Sequence, residues 1–348
     1  MLSHFRGPIL FAIACLILAG WYGYASTGTM SGMVQVLWIV VVLSVLEVSL
    51  SFDNAVVNAT VLKDMDPVWQ KRFLTWGMVI AVYGMYIVFP LAIVAIAAGL
   101  GPLEAAKLSL EEPERYEQIV SSAHVGIAGF GGAFLGMVGL KFFFDEEKDI
   151  HWIHAIEERL SRFSAIPALE IAVLLLALWG ISMLLPEHYS HTVLVSGILG
   201  IVCFIAVDGL GTVLKLREER MLAAGTAVHA GLGGFLYLNV LDASFSFDAV
   251  IGAFALSNNM VVIALGLSIG AMFVRAMTVM LVKKGTLTEY HFLEHGAFWA
   301  ILALSVIMLV SVRYEIPEAI TGLIGAAFIG LAIWWSARHN RKYAQTRP

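Results

Sequence analysis

The sequence predicts an all-α, polytopic transmembrane helical bundle. Three observations predict it: about ten long apolar runs, a scarcity of charge, and a one-sided distribution of the basic residues. Hydrophobic residues make up 59% of the chain and charged residues 14%, against about 25% charged in soluble domains. Mean hydropathy is +0.85. The lipid bilayer is therefore the expected solvent. With a net charge of −5 and no overall basic footprint, nucleic acid is excluded as a partner. Cys15 and Cys203 both lie in apolar runs, where a thiol behaves as a small hydrophobe and reports nothing about redox compartment.

Crossing about 30 Å of hydrocarbon takes roughly 20 residues of helix. The expected spans are 8–25, 35–60, 73–100, 122–143, 166–185, 192–214, 234–256, 260–282, 296–312 and 317–336. Basic residues in short loops favour the cytoplasmic side. Ten spans put Arg6, Lys63, Lys71, Arg72, Lys141, Lys148, Arg159, Arg162, Lys215, Arg217, Arg220, Lys283, Lys284 and the Arg338–Arg347 tail on one side. Only Lys107, Arg115 and Arg313 fall on the other, and Arg275 lies inside a span. Both termini are expected to be cytoplasmic, with the chain in an inner or plasma membrane. Residues 1–25 also carry the basic start, apolar middle and small-residue end of a signal peptide. Residues 222–234 are apolar but short, as a re-entrant segment would be.

Acids interrupt the apolar pattern at two places. Residues 47–54 read EVSLSFDN and residues 242–248 read DASFSFD. Glu47 thus corresponds to Asp242, Ser49 to Ser244, Ser51 to Ser246, Phe52 to Phe247 and Asp53 to Asp248. In a ten-span chain the two copies cross the membrane in opposite directions. That is an inverted repeat, with halves 1–187 and 188–348 and the paired motifs meeting at the membrane midplane. Glu47 aligns with Ser51, Asn54 and Asn58 on a regular helix, whereas residues six apart sit about 120° apart around the axis. Glu47 and Asp53 therefore meet common partners only if the helix unwinds between Ser49 and Phe52, or if each acid turns to the other half. A carboxylate at the bilayer centre costs about 2.5–3.5 kcal/mol even on the lenient insertion scale. Protonation or a bound cation offsets that cost. Oxygen ligands from Asp, Glu, Asn and Ser suit hard ions such as Mg²⁺, Ca²⁺ and Mn²⁺.

At these residues the chain resembles the TerC family of integral membrane proteins, whose members include manganese exporters. The likeness rests on the two acid…Ser-x-Asp motifs, on Arg72 and Trp76-Gly77 after the first, and on Arg275 in the span after the second. It covers about half the chain. Where the family's second motif commonly continues Asp-Ser-Val-Pro, this chain has Asp248-Ala249-Val250-Ile251, which removes a hydroxyl and a helix break. Met85 stands near where the family often carries an arginine. The resemblance implies export of divalent cations.

Other polar residues point elsewhere. Arg275 either snorkels to the interface or neutralises the acids as their charge partner. Asp208, near the end of its span, reads as structural. His124 and His229 precede glycine clusters that permit close helix packing. His151, His154 and Glu157 fall at offsets of three on an expected solvated amphipathic helix. His291, Glu294 and His295 lack the HExxH order of a zinc protease, and Glu187, His188 and His191 form an exposed loop. No GxxxxGK[ST], GxGxxG or GxSxG occurs, so no enzyme and no ATP-driven pump is expected.

The expected function is secondary transport: export of Mn²⁺ as substrate, with Ca²⁺ or Mg²⁺ as alternatives, driven by inward proton movement. The ligands are Glu47, Asp53, Asp242 and Asp248, completed by Asn54, Ser51 and Ser246, and no prosthetic group is expected. The alternative is a non-transporting anchor of a stress assembly, with the Asp145–Arg162 loop docking a soluble partner. An intramembrane hydrolase ranks last, because Ser51 and Ser246 lack a nearby basic partner in the sequence.

Overall fold

A computed structural model describes residues 2–345 except 78, 146–149, 164–165, 167, 224–230, 255, 284, 286–288 and 315. The side chain of Asp248 and most of the 222–234 segment, with His229, fall outside the described residues.

Among the described residues, thirteen helical segments follow the ten apolar runs, the second run being divided in two and the third in three. The first two runs give α1 (Leu2–Thr27) and then α2 (Met30–Leu50) continued by α3 (Phe52–Leu62). After α4 (Pro67–Arg72), the third run is π1 (Phe73–Gly77), π2 (Ile80–Val88) and α5 (Phe89–Ala98). Two short helices, α6 (Pro102–Glu111) and α7 (Pro113–Ser122), lead to α8 (His124–Phe143). The small helix α9 (His154–Arg162) precedes α10 (Leu169–Leu184) and α11 (Glu187–Ala223). The chain closes with α12 (Leu232–Phe254), α13 (Met260–Lys283), α14 (Leu293–Ser311) and α15 (Glu318–Gln345). No strand occurs among the described residues. Among the described residues, seven helices are long and apolar enough to cross a membrane, and two shorter apolar helices, Tyr83–Ile96 and Leu169–Leu184, accompany them. The chain is an all-helical integral membrane protein.

Local chemistry explains the irregular elements. Pro90 has no N–H and its ring crowds the carbonyl of Tyr86, four residues before it, so the turns that precede it widen into π2. Backbone at Ser51 leaves the helical region at φ −102°, ψ 16°, which divides α2 from α3. No such break occurs in α12, which runs through the second motif. α11 spans 37 residues, about 55 Å at 1.5 Å per residue, and its charged end must leave the hydrocarbon.

α8, α13 and α14 are inner helices, with about two thirds of their apolar windows buried, whereas α1, α2, α11 and α15 turn most of theirs outward. Outward side chains such as Trp21, Trp38, Leu184 and Leu323 are exposed, as lipid contact allows. α8 packs on α11, α14 and α12; α13 packs on α2, α1 and α3; α14 packs on α15 and α3; α11 packs on α12; and π2 packs on α12 and α13.

Glycine sets the closest approaches. A Cβ at Gly129 would lie 2.3 Å from Ser196 Oγ, and one at Gly139 2.5 Å from Leu302. His124 begins this face and lies 3.5 Å from the Ser311 hydroxyl, a packing role. At Gly200 of α11 the obstacle would be backbone: a Cβ would lie 2.3 Å from the Phe130 carbonyl oxygen. Overpacking of this kind costs about 1–3 kcal/mol. Gly200→Ala should therefore lower the melting temperature in detergent. Gly209→Ala, where nothing lies within 4 Å, should leave it unchanged or raise it.

Candidate cation site

Glu47 lies at the last turn of α2 and is 2% exposed. It reaches its place because α13 presents glycine to α2. A Cβ at Gly270 would sit 2.5 Å from Glu47 Cβ, and one at Gly266 2.6 Å from Leu43 Cβ. Ser44 fastens the same seam by donating to Gly266 O at 3.0 Å. The Ser51 hydroxyl donates to Glu47 Oε1 at 2.8 Å and Tyr86 OH donates to the same oxygen at 2.9 Å. Ser246 sits at the Tyr86 hydroxyl. Glu47 Oε2 is buried with no hydrogen-bond donor.

Asp242 faces Glu47 from α12, near enough for the two carboxylates to repel. One of its oxygens accepts from Asn58 Nδ2 at 2.6 Å and the other from Arg275 at 2.9 Å. Arg275 is buried, so the ion pair settles its role: it neutralises an acid and does not reach the interface. The guanidinium also donates to Phe73 O at 3.0 Å and Gly77 O at 2.7 Å, and stacks over the Phe73 ring. Both carbonyls belong to the π1 turn. Gly77 fits closely there: a Cβ would lie 3.0 Å from the guanidinium and would press on it.

Asp53 stands apart from this group. It is 5% exposed, in the first turn of α3. It borders a cavity of about 20 Å³ together with Asn54, Ser51, Phe245 of α12, Leu304 of α14 and Thr321 and Gly325 of α15. The structure therefore brings together Glu47, Ser51, Ser246, Asp242 and Arg275, and sets Asp53 and Asn54 in a neighbouring compartment. Ser51 lies on the boundary and touches both. Asn54 Oδ1 and Asn58 Oδ1 are buried without donors, like Glu47 Oε2. Among the described residues no three His, Cys, Asp or Glu side chains converge as a metal cluster. An ion bound here would draw largely on amide and hydroxyl oxygens.

A second cavity, of about 370 Å³, opens one to two turns beyond the Asn58–Asp242 bond along α3 and α12. Its walls include Asp64, Asp208, Lys215, Glu218 and Tyr237. Asp208 is paired with Lys141, which agrees with its structural reading. The Glu218 carboxylate accepts the Gly231 and Leu232 amides where α12 begins.

The expected solvated helix at 154–162 needs correction. Glu157 is 1% exposed. It accepts from the Trp152 and Ile153 amides, from Trp299 Nε1 at 2.9 Å, and shares a 2.8 Å bond with His295 Nδ1. The helix is amphipathic, but its acid points inward and fastens α9 to α14. Sequence offsets among His151, His154 and Glu157 hid this contact, because the partners lie 138 and 142 residues away. Tyr86 and Thr321 were equally invisible, each being a single polar residue in an apolar span.

A buried ion pair and donor-less oxygens within a lipid-facing helical bundle define a polytopic membrane protein with a polar centre. The chain belongs to DUF475, a family of proteins of unknown function whose model matches residues 52–343. That range takes in Asp53, the whole second motif and Arg275. The resemblance to TerC rests on the two motifs with Arg72, Trp76-Gly77 and Arg275. No curated protein and no solved structure matches the chain.

Removing one partner of a buried pair leaves an uncompensated charge and costs about 3–5 kcal/mol. Arg275→Gln should destabilise the protein by that order, and Asp242→Asn added to it should restore part of the loss, read as thermal stability in detergent. At Glu157, burial alone would raise the carboxyl pKa; the bonds from His295 and Trp299, the His295 charge and the Trp152 amide outweigh it and hold the group at about 2. A depressed value means the stabilisation is complete above the ordinary value of 4.5 and is lost as pH falls toward 2. The stability gap between wild type and Glu157→Gln should close across that window.

Proposed function

We propose that this protein is a secondary transporter that exports a hard divalent cation. The observation that carries the reading is the pair of buried oxygens without donors on either side of Asp242, Glu47 Oε2 and Asn58 Oδ1. Acceptors left bare at that depth call for a guest that supplies positive charge. An all-oxygen set suits Mn²⁺, Ca²⁺ or Mg²⁺, and the motif resemblance to TerC favours Mn²⁺. Asp248, from the second motif, completes the ligand set in this reading. Protons compete with the metal for the same carboxylates, which provides the coupling.

The helix pairings support two repeated halves, 1–187 and 188–348. Matching spans in order, α1 on α2 has its counterpart in α11 on α12, α2 on α13 in α12 on π2, α3 on α14 in α12 on α8, and α8 on α10 in α14 on α15. Rocking of such halves about a central site would alternate access. The cavity along α3 and α12 serves as the entrance, on the side where basic loops place the cytoplasm. The inward docking of Glu157 favours transport over the anchor reading, since that acid of the loop is spent on this chain's own α14.

Proteoliposomes loaded with Mn²⁺ test the reading. Wild type should release metal along an opposing pH gradient, and Glu47→Gln and Asp53→Asn should reduce the rate by about tenfold or more, at least the loss seen when a metal's supporting shell is damaged. Equal flux in these variants and wild type would refute it.

A further inference from the structure

No cationic side chain pairs with the Asp53 carboxyl among the described residues. Its hydrogen bonds come from backbone amides alone, that of Asn54 donating to Oδ1 at 3.0 Å. Oδ2 faces α15, 3.7 Å from where a Cβ on Gly325 would lie. Arg275 is committed to Asp242 in the other compartment. A water molecule would satisfy hydrogen bonds here but would leave the charge. A carboxyl this deep needs a proton or a cation, and the donor-less Asn54 Oδ1 lining the same cavity points to a cation.

The adjoining cavity limits which cation. Its volume of about 20 Å³ compares with the roughly 10–15 Å³ that one water-sized guest needs. A single bare ion fits, and a hydrated one does not. Mg²⁺, which gives up its waters reluctantly, is thereby excluded. The polar lining is one carboxylate with the neutral oxygens of Asn54, Ser51 and Thr321, and the remaining walls include Phe245, Ala300 and Leu304. Asn54 Oδ1 is buried and has no donor. One negative charge balances one positive charge, so a divalent ion would leave a surplus in an apolar wall.

We propose that Asp53, Asn54, Ser51 and Thr321 form a second site, separate from the Glu47–Asp242 compartment, that binds one dehydrated monovalent cation of the Na⁺ class. Ser51 joins the two compartments: its hydrogen is given to Glu47, which leaves its lone pairs for the cation. Occupancy of the cavity would then fix the hydroxyl that orients Glu47. Its use as a second coupling ion beside the proton rests on the transport reading; the binding site itself does not.

The test is thermal stability of the full chain in detergent, titrated with NaCl against choline chloride at constant ionic strength. Wild type should show a saturable rise with Na⁺ and none with choline, following the mass-action form for a ligand that binds the folded state. Asp53→Asn should abolish the rise. Gly325→Ala, whose methyl would lie on the cavity wall 3.7 Å from Asp53 Oδ2, should abolish it too. Thr321→Val keeps the volume and should weaken Na⁺ about tenfold, which guards against the other variants failing to fold. Glu47→Gln should retain the full Na⁺ response. No Na⁺ effect in wild type, a response that survives Asp53→Asn, or one that Glu47→Gln removes would each overturn the proposal. Absence of Mn²⁺ flux with an intact Na⁺ response would sink only the transport reading.

Discussion

Everything polar in the middle of this bundle is organised by the cost of burying charge. The Arg275–Asp242 pair meets that cost with a 2.9 Å contact and with two backbone carbonyls that satisfy the rest of the guanidinium. Those carbonyls come from the π1 turn, and the packing of π2 against α12 and α13 keeps the third span beside them. A widened helix, often a defect in a soluble core, is here the source of acceptors. Pull Arg275 away and the acid, the turn and the seam between α13 and π1 lose their common partner.

Small residues do the complementary work. Gly266 and Gly270 bring α13 near enough to α2 for Glu47 to enter the interior, while the glycines of α8 bring α11 and α14 onto a central helix. Lipid offers no hydrophobic gain for joining helices, so close van der Waals contact and buried hydrogen bonds must hold the bundle. Ser305 donating to Gly132 O at 2.6 Å is one such bond.

Much of this was legible in the chain. Span positions follow from apolar length, and every expected run is helical. The paired motifs singled out Glu47, Ser51, Asp242 and Ser246, which the fold does gather. A helix break, one of the two solutions the spacing left open, appears at Ser51, and the missing Pro and Ser after Asp248 fit an unbroken α12. What stayed hidden depends on contacts across the chain. Periodicity assigned Glu157 to a watery face because it counts neighbours four residues away, not a histidine 138 residues on. Nor could spacing show that Asp53 turns toward the last helix, away from Glu47, since that follows from a local change in backbone direction.

The reach of α11 has a mechanical implication. Its charged end stands in water, yet through Glu218 it grips the two amides at which the second motif's helix starts. A rod that begins on one face of the bilayer and ends as the clasp of another helix transmits tilt along its length. A pull on that protruding tip, from a neighbouring protein or from lipid headgroups, would reach the foot of α12 through this grip.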